Sequence, residues 1–257
     1  MFDEWDMVAS LRRSQIESGK DLTFSRVFVP LFKKLVNEIR PTSILEAGTG
    51  TGHLALELHG STTRYVGVEP SLGMFSQATQ LLDDRDIELI NTTLENMAGA
   101  SSFDLVLVHM CLQAVEDHTN FLRAVKRRLA TDGAFLISIP HPAFFNPYKK
   151  IIPEREYSYS REHKALIDFS ITLDPASPIR RVPYFHRPIS SYMSAFWRAG
   201  LSVTYFHEVF PSPEVQALYG EPWSTPRYLL LGGTSTVDIG REIPTDCVAV
   251  RLATHAI

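Results

Sequence analysis

The stretch ILEAGTGTGH, residues 44–53, runs from a short apolar segment through an acidic residue into glycines at alternate positions, Gly48, Gly50 and Gly52. Glycine lets a backbone turn tightly and approach a ligand without a Cβ in the way. A strand that ends in such a turn and passes into a helix over Leu54 to Leu58 places the turn at the carboxyl edge of a sheet, where open α/β folds bind nucleotide-like ligands. A pyrophosphate-binding turn of the form G-x-G-x-x-G needs its third glycine at position 53, which is His53. The spacing present is acidic-x-G-x-G-x-G, and the carboxylate of Glu46 would repel a pyrophosphate but suit a cationic ligand.

Outward from this turn, β-branched and apolar runs recur at Ser43 to Ala47, Tyr65 to Val68, Ile87 to Ile90, Phe103 to Val108, Ala134 to Ile139, Leu201 to Phe206 and Tyr228 to Leu231. Helical spacing separates them. Ser71 to Leu82 puts Leu72, Phe75, Ala78, Leu81 and Leu82 on one face with Ser71 as N-cap; Asp117 to Ala130 does the same with Phe121, Leu122, Val125 and Leu129. Lys126, Arg127 and Arg128 fall on the outer face of that helix as solvated charge. Near-continuous apolar strands alternating with helices predict a doubly wound, mostly parallel seven-stranded α/β sheet covered on both faces.

The pattern predicts a single domain in sections. Residues 1–40 form a helical cap, with Phe32, Leu35, Val36 and Ile39 spaced for packing. Residues 41–140 form the α/β core. Residues 141–188 hold seven prolines, many aromatics and no long periodic stretch, which reads as a lid inserted after strand 5. Residues 189–233 complete the core, with a helix over Ser190 to Ala199 stopped by Gly200, and residues 234–257 are a C-terminal extension with a strand-like run at Cys247 to Leu252.

Composition narrows the function. With 25 basic and 29 acidic residues, a net charge of −4 and no long basic block, nothing drives sequence-independent grip on a nucleic acid. Cys111 and Cys247 form no C-x-x-C pair, so neither a disulfide framework nor structural zinc is expected, and each reads as a small apolar residue. The first residues are acidic where a secretory signal is basic, and no apolar run approaches the ~20 residues of a membrane span. A cytoplasmic location without membrane or metal is the expectation.

With these motifs in place the chain resembles the class I S-adenosylmethionine-dependent methyltransferases, in which the first glycine motif has this form. The resemblance covers roughly residues 20–232. It implies that Glu46, Gly48, Thr49, Gly50 and Gly52 hold the methionine end of the cofactor. Glu69, in the Glu69-Pro70-Ser71 tip of the second strand, matches the ribose ligand, and Met74 matches an apolar residue packed on adenine or ribose. Thr93 and Leu94 stand where the family often has Asp-Ala beside the adenine amine, so a hydroxyl or backbone group takes the aspartate's place. FDLVLVHMCLQAVED, residues 103–117, resembles the fourth motif and sets His109 and Met110 beside the cofactor. LATDGAFLISIPHP, residues 129–142, and HRPISSYMSAFWRAGLSV, residues 186–203, match the fifth-strand and post-lid segments of the small-molecule branch.

The resemblance implies methyl transfer from S-adenosylmethionine to a small-molecule acceptor, leaving S-adenosylhomocysteine. His141, at the mouth of the expected site, is the candidate general base and substrate contact, with a histidine held in a Pro-His-Pro turn as the alternative. His186 and Arg187 either bind an acceptor carboxylate or fix the lid's return to the sheet. Phe144, Phe145, Tyr148 and Tyr184 are candidate walls of an acceptor pocket, or the lid's own core. Asn146-Pro147-Tyr148 follows strand 5 and lacks a second proline, so it does not match the Asn-Pro-Pro-Tyr signature of nucleic-acid amino methyltransferases. Two rival functions remain open: an NAD-dependent oxidoreductase, disfavoured by His53 and Glu46, and a catalytically silent S-adenosylmethionine-binding protein.

Overall fold

The computed structural model describes residues 2–171, 173–220 and 222–235. The expected run at 247–252 lies outside them. Strands β1 (Ser43–Ala47), β2 (Arg64–Val68), β3 (Glu88–Ile90), β4 (Phe103–His109), β5 (Leu129–Pro140), β8 (Leu201–Val209) and β9 (Tyr228–Ser235) form one sheet in the order β3-β2-β1-β4-β5-β9-β8. Pairings from β3 through β5 are parallel, whereas β9 joins β5 and β8 joins β9 antiparallel. The order of strands reverses between β1 and β4, so the connections leaving their carboxyl ends diverge and open a crevice there. The ILEAGTGTGH turn sits at that crevice.

Alternation along β4 builds both layers of the core. Leu105 and Leu107 face the helices α2 (Val29–Ile39) and α3 (His53–Leu58), packing with Phe32, Leu54 and Leu58. Val106 and Val108 face α5 (His118–Arg128) and α7 (Ile189–Ala199), packing with Leu122, Val125 and Phe196. Burying each such side chain contributes about 1.5–3 kcal/mol, which is what holds the sheet between its helices. Gly200 ends α7 in the left-handed region at φ +71°, as its position past the last apolar residue predicts.

Three expectations about helix faces are corrected. Ile39 is 37% exposed at the last turn of α2, and Leu72 is 64% exposed at the start of α4 (Leu72–Leu81), where Met74 and Ala78 are buried instead. Arg128 is buried: its guanidinium donates to the carbonyls of Gly99 (2.6 Å) and Met97, closing the loop before β4. A charge at the last turn of a helix also complements the dipole there.

Before the sheet lie α1 (Asp3–Glu17), a π-helical turn over Thr23–Phe28 and α2. Asp6 of α1 accepts from Ser71 Oγ (2.6 Å) and from the Gly73 N–H (2.8 Å), capping α4 from outside. A Cβ on Gly73 would lie 2.7 Å from the Asp6 backbone, so glycine is what admits α1 so close. Past β5, residues 141–188 form a short helix, α6 (Phe145–Lys149), and an antiparallel hairpin of β6 (His163–Ile171) with β7 (Asp174–His186). The hairpin has two strands, so Pro175, Pro178 and Pro183 are tolerated in β7. Ile167, Ile179, Val182 and Tyr184 of the hairpin pack against Val8 and Ala9 of α1 and Met74 of α4. The N-terminal helix and the insertion together roof the crevice.

Candidate functional site

The glycine turn is shaped by contact below and open space above. Gly48 adopts φ +78°, and a Cβ there would lie 2.6 Å from Cys111 Sγ. Gly50 adopts φ +59° with nothing within 4 Å of a would-be Cβ. Gly52, also left-handed at φ +85°, has a different task from the one expected. It lies outside the cavity lining, and its missing Cβ would meet Leu82 Cδ1 at 2.9 Å and Ala78 at 3.2 Å, so it lets α3 pack against α4.

Two buried carboxylates flank this turn. Glu69 accepts from the Gly50 N–H (2.8 Å) and the Ser71 N–H (2.8 Å), tying the tip of β2 to the glycine loop and to the start of α4. Burial pushes its pKa up to about 7 against the lowering effect of those bonds. Glu46 accepts from Tyr65 Oη (2.8 Å), and burial pushes its pKa up to about 8, with Glu69's charge adding to the rise. Both line a cavity of about 410 Å³. Two such groups without a cation are partly protonated at neutrality; a bound cation would ionise them.

The cavity extends from the ends of β1, β2, β3 and β4. Gly48, Thr49, Gly50, Pro70, Met74 and Leu94 line it as expected, together with Thr93, whose hydroxyl accepts from the Asn96 N–H (3.3 Å). Met110 lines it from a left-handed backbone at φ +51°, held there by its N–H bond to the Ser138 carbonyl (3.0 Å). His109 lines it with Nδ1 2.7 Å from Ser138 Oγ, its ring among Phe24, Phe28 and Phe32. Burial lowers its pKa to about 3, so the imidazole is uncharged near pH 7.

The expected acceptor residues divide. Tyr148 and Tyr184 line the cavity; His141, Phe144, His186 and Arg187 do not. His141 is 1% exposed. Its Nδ1 accepts from the Ala143 N–H (3.2 Å), which leaves the proton on Nε2 to donate to Glu208 (3.2 Å), while the Phe144 ring lies tilted against it with centroids 4.7 Å apart. This is the turn-histidine alternative, and it corrects the general-base expectation. His186 Nε2 donates to the Tyr159 carbonyl (3.0 Å), and Arg187 donates to the carbonyls of Val115 (2.8 Å) and Glu116 (2.7 Å). Both fix the hairpin's return to the sheet rather than reaching the cavity. Asn146 bonds both backbone groups of Ile152, a structural role. His141→Gln is expected to cost about 1–3 kcal/mol of stability through its buried hydrogen bonds. Turnover at saturating substrate should stay within about two-fold; a drop in kcat without loss of Tm would return His141 to the chemistry.

Several cavity residues carried no sequence signal. Phe24 and Phe28 reach it from the π-helical turn. Asp21, Lys149 and Arg227 converge on its far end from three distant segments. Gln113 donates to the Met110 carbonyl (2.6 Å) and leaves Oε1 buried without a partner at the cavity wall. Among the described residues no cluster of histidine, cysteine or carboxylate side chains could hold a metal ion, and no helix is long and apolar enough to cross a membrane.

Residues 45–137, which carry the cradle, match the family described as "Methyltransferase domain". No curated protein matches the chain. Solved structures share its fold. An S-adenosylmethionine-dependent methyltransferase from Mesorhizobium loti aligns with TM-score 0.60 at 22% identity, over 79% of this chain and 95% of that one. One from Clostridium acetobutylicum aligns with TM-score 0.58 at 13% identity, over 90% and 97%. The 1,6-didemethyltoxoflavin-N1-methyltransferase of Burkholderia thailandensis, solved with 1,6-didemethyltoxoflavin and S-adenosylhomocysteine, aligns with TM-score 0.56 at 17% identity, over 90% and 88%. With its glycine cradle, paired carboxylates and seven-stranded sheet, the chain matches a methyltransferase domain over residues 45–137 and shares the fold of these S-adenosylmethionine-dependent methyltransferases.

Proposed function

We propose that the protein transfers a methyl group from S-adenosylmethionine to a small-molecule acceptor, as one catalytic unit in which residues 1–40 and 141–188 close the acceptor end. The cradle suits this cofactor. Gly50 leaves open the space that a Cβ would enter, and two buried carboxylates with raised pKa values flank the turn as acceptors for a cationic amino acid and a ribose. The observation that carries the reading is the continuity of one cavity from that cradle to a roofed, aromatic-walled chamber lined by Phe24, Phe28, Phe145, Tyr148 and Tyr228. A chamber of this size under a roof suits a small molecule rather than a polymer, in keeping with the net charge of −4. The toxoflavin-precursor methyltransferase, which shares the fold, binds a small aromatic acceptor.

When bound, the cofactor supplies a methyl already activated by positive sulfur. Glu46 would then hold the ammonium end. Each Glu69 oxygen spends one lone pair on a backbone N–H and keeps another for a ribose hydroxyl. Met74 and Leu94 pack on the nucleoside. Phe24, Phe28 and His109 exclude water and hold the acceptor in line, the main catalytic contribution in such a displacement. Gln113 Oε1 is placed to accept a hydrogen bond from an acceptor donor.

Calorimetry with S-adenosylhomocysteine and with NAD tests the reading: nanomolar-to-micromolar binding of the first and none of the second is expected. Transfer of labelled methyl to an extracted metabolite separates an enzyme from a silent binding protein. Glu69→Ala should weaken S-adenosylhomocysteine binding by about 1–3 kcal/mol, the usual cost of losing charge-assisted hydrogen bonds. Unchanged affinity would remove Glu69 from the ribose site.

A further inference from the structure

Lys149 brings to the far end of the cavity a positive charge that methyl transfer itself does not require. Lys149, the last residue of α6, lines the cavity, and its Nζ donates to the Ser170 carbonyl (3.0 Å) and lies 5.1 Å from the Tyr148 ring centroid. Arg227, 5% exposed, stacks on Tyr148 at 3.7 Å and on Trp223 at 4.2 Å, and donates to Tyr148 Oη (2.8 Å). Asp21 lines the same cavity, and its carboxylate is engaged: one oxygen takes the Phe24 N–H (2.9 Å) and the other pairs with Arg12 (2.6 Å). Among the described residues no carboxylate lies within 4.0 Å of Lys149 Nζ.

Holding the half-buried Lys149 ammonium against a carbonyl and an aromatic ring, with no carboxylate beside it, costs folding free energy that a ligand anion would offset. Burial and Arg227 both push the Lys149 pKa down, which is the electrostatic signature of that cost. A ligand anion would reverse it. The walls between Lys149 and the glycine cradle are apolar, with Phe145, Phe169, Ile171 and Tyr228.

We propose that the methyl acceptor is an apolar carboxylic acid whose carboxylate is recognised by Lys149, with Arg227 supplying a second positive charge and the aromatic walls holding the body of the molecule toward the cradle. This deepens the methyl-transfer reading and rests on it. Lys149 binds the group that is not methylated; it sets which molecules enter and how they are oriented.

The test uses the full chain, S-adenosylmethionine labelled in its methyl group, and a small-molecule extract divided on an anion-exchange resin at neutral pH. Label is expected in compounds of the resin-retained fraction. Lys149→Met should lower that transfer about 10-fold or more at low extract concentration, with recovery as the concentration is raised. Lys149→Arg should restore part of it, and calorimetry should show S-adenosylhomocysteine affinity within about two-fold of the parent in both variants. Label confined to the unretained fraction, or transfer by Lys149→Met equal to the parent, would overturn the proposal and leave methyl transfer standing. A loss that persists at saturating extract would place Lys149 in the chemical step and overturn recognition. No label in either fraction, from protein that binds S-adenosylhomocysteine, would sink methyl transfer itself and this inference with it. Should Lys149→Met fail to bind S-adenosylhomocysteine, the partition of the parent's products decides.

Discussion

Gly48→Ala is expected to destroy the cofactor cradle. The residue sits at φ +78°, a conformation that costs an alanine about 1–2 kcal/mol. The added methyl would also lie 2.6 Å from Cys111 Sγ and 2.8 Å from its Cβ, and the second of these atoms is fixed to the backbone at the end of β4. Overpacking of that kind adds about 1–3 kcal/mol. The sum, about 2–5 kcal/mol, corresponds to a fall in Tm of roughly 5–15 °C for a chain of this size. Relief by rotating the loop would move the Gly50 N–H away from Glu69, so S-adenosylhomocysteine binding should become undetectable by calorimetry even at temperatures where the variant stays folded. Combining it with Cys111→Gly removes the steric part and leaves the backbone part, so about half of the lost Tm should return. A Gly48→Ala protein with the parent's affinity would show that the turn is not the binding element.

The second large effect is a dependence of cofactor binding on pH. Glu46 and Glu69 bind protons more tightly in the folded protein, at about 8 and about 7, than the usual carboxylate value of 4.5. The folded chain therefore holds more protons than the unfolded one across that interval. The contribution of these groups to stability is greatest below the unfolded value, falls as pH rises, and is fully lost once pH passes the folded values. A cationic ligand acts in the opposite sense, because it favours the ionised carboxylates. Binding should release protons at about pH 6.5 and scarcely any at about pH 9, with affinity rising by up to about ten-fold per pH unit for each group that must ionise. Calorimetry of S-adenosylhomocysteine in buffers of different ionisation heat measures the release directly. Proton uptake, or an affinity that falls between those limits, would contradict the assignment of both carboxylates to the ligand.

How much of this was legible in the sequence differs by element. The seven sheet strands, the Ser71 cap and the Gly200 stop could be read because each depends on a local rule: apolar runs, a hydroxyl before a helix, a glycine after one. The β6–β7 hairpin could not be read. Its prolines and mixed charge are tolerated only because the hairpin has two strands and lies on α1, a fact of packing rather than of local propensity. Histidine chemistry misled for a similar reason. His141 lies in the expected segment, yet a turn of the chain aims both ring nitrogens at Ala143 and Glu208, while His109, inside the cavity, is neutral through burial.

By itself the sequence determined the glycine cradle, its flanking carboxylates and the α/β frame, because these follow from backbone freedom and hydrophobic period within short windows. Tertiary structure alone decided the acceptor end. Asp21, Lys149 and Arg227 come from three segments far apart along the chain, and only the folding of the N-terminal cap and the insertion over the sheet brings their charges to one cavity. Electrostatic and packing interactions act through space, so a side chain's chemistry is set by neighbours that its own segment does not name.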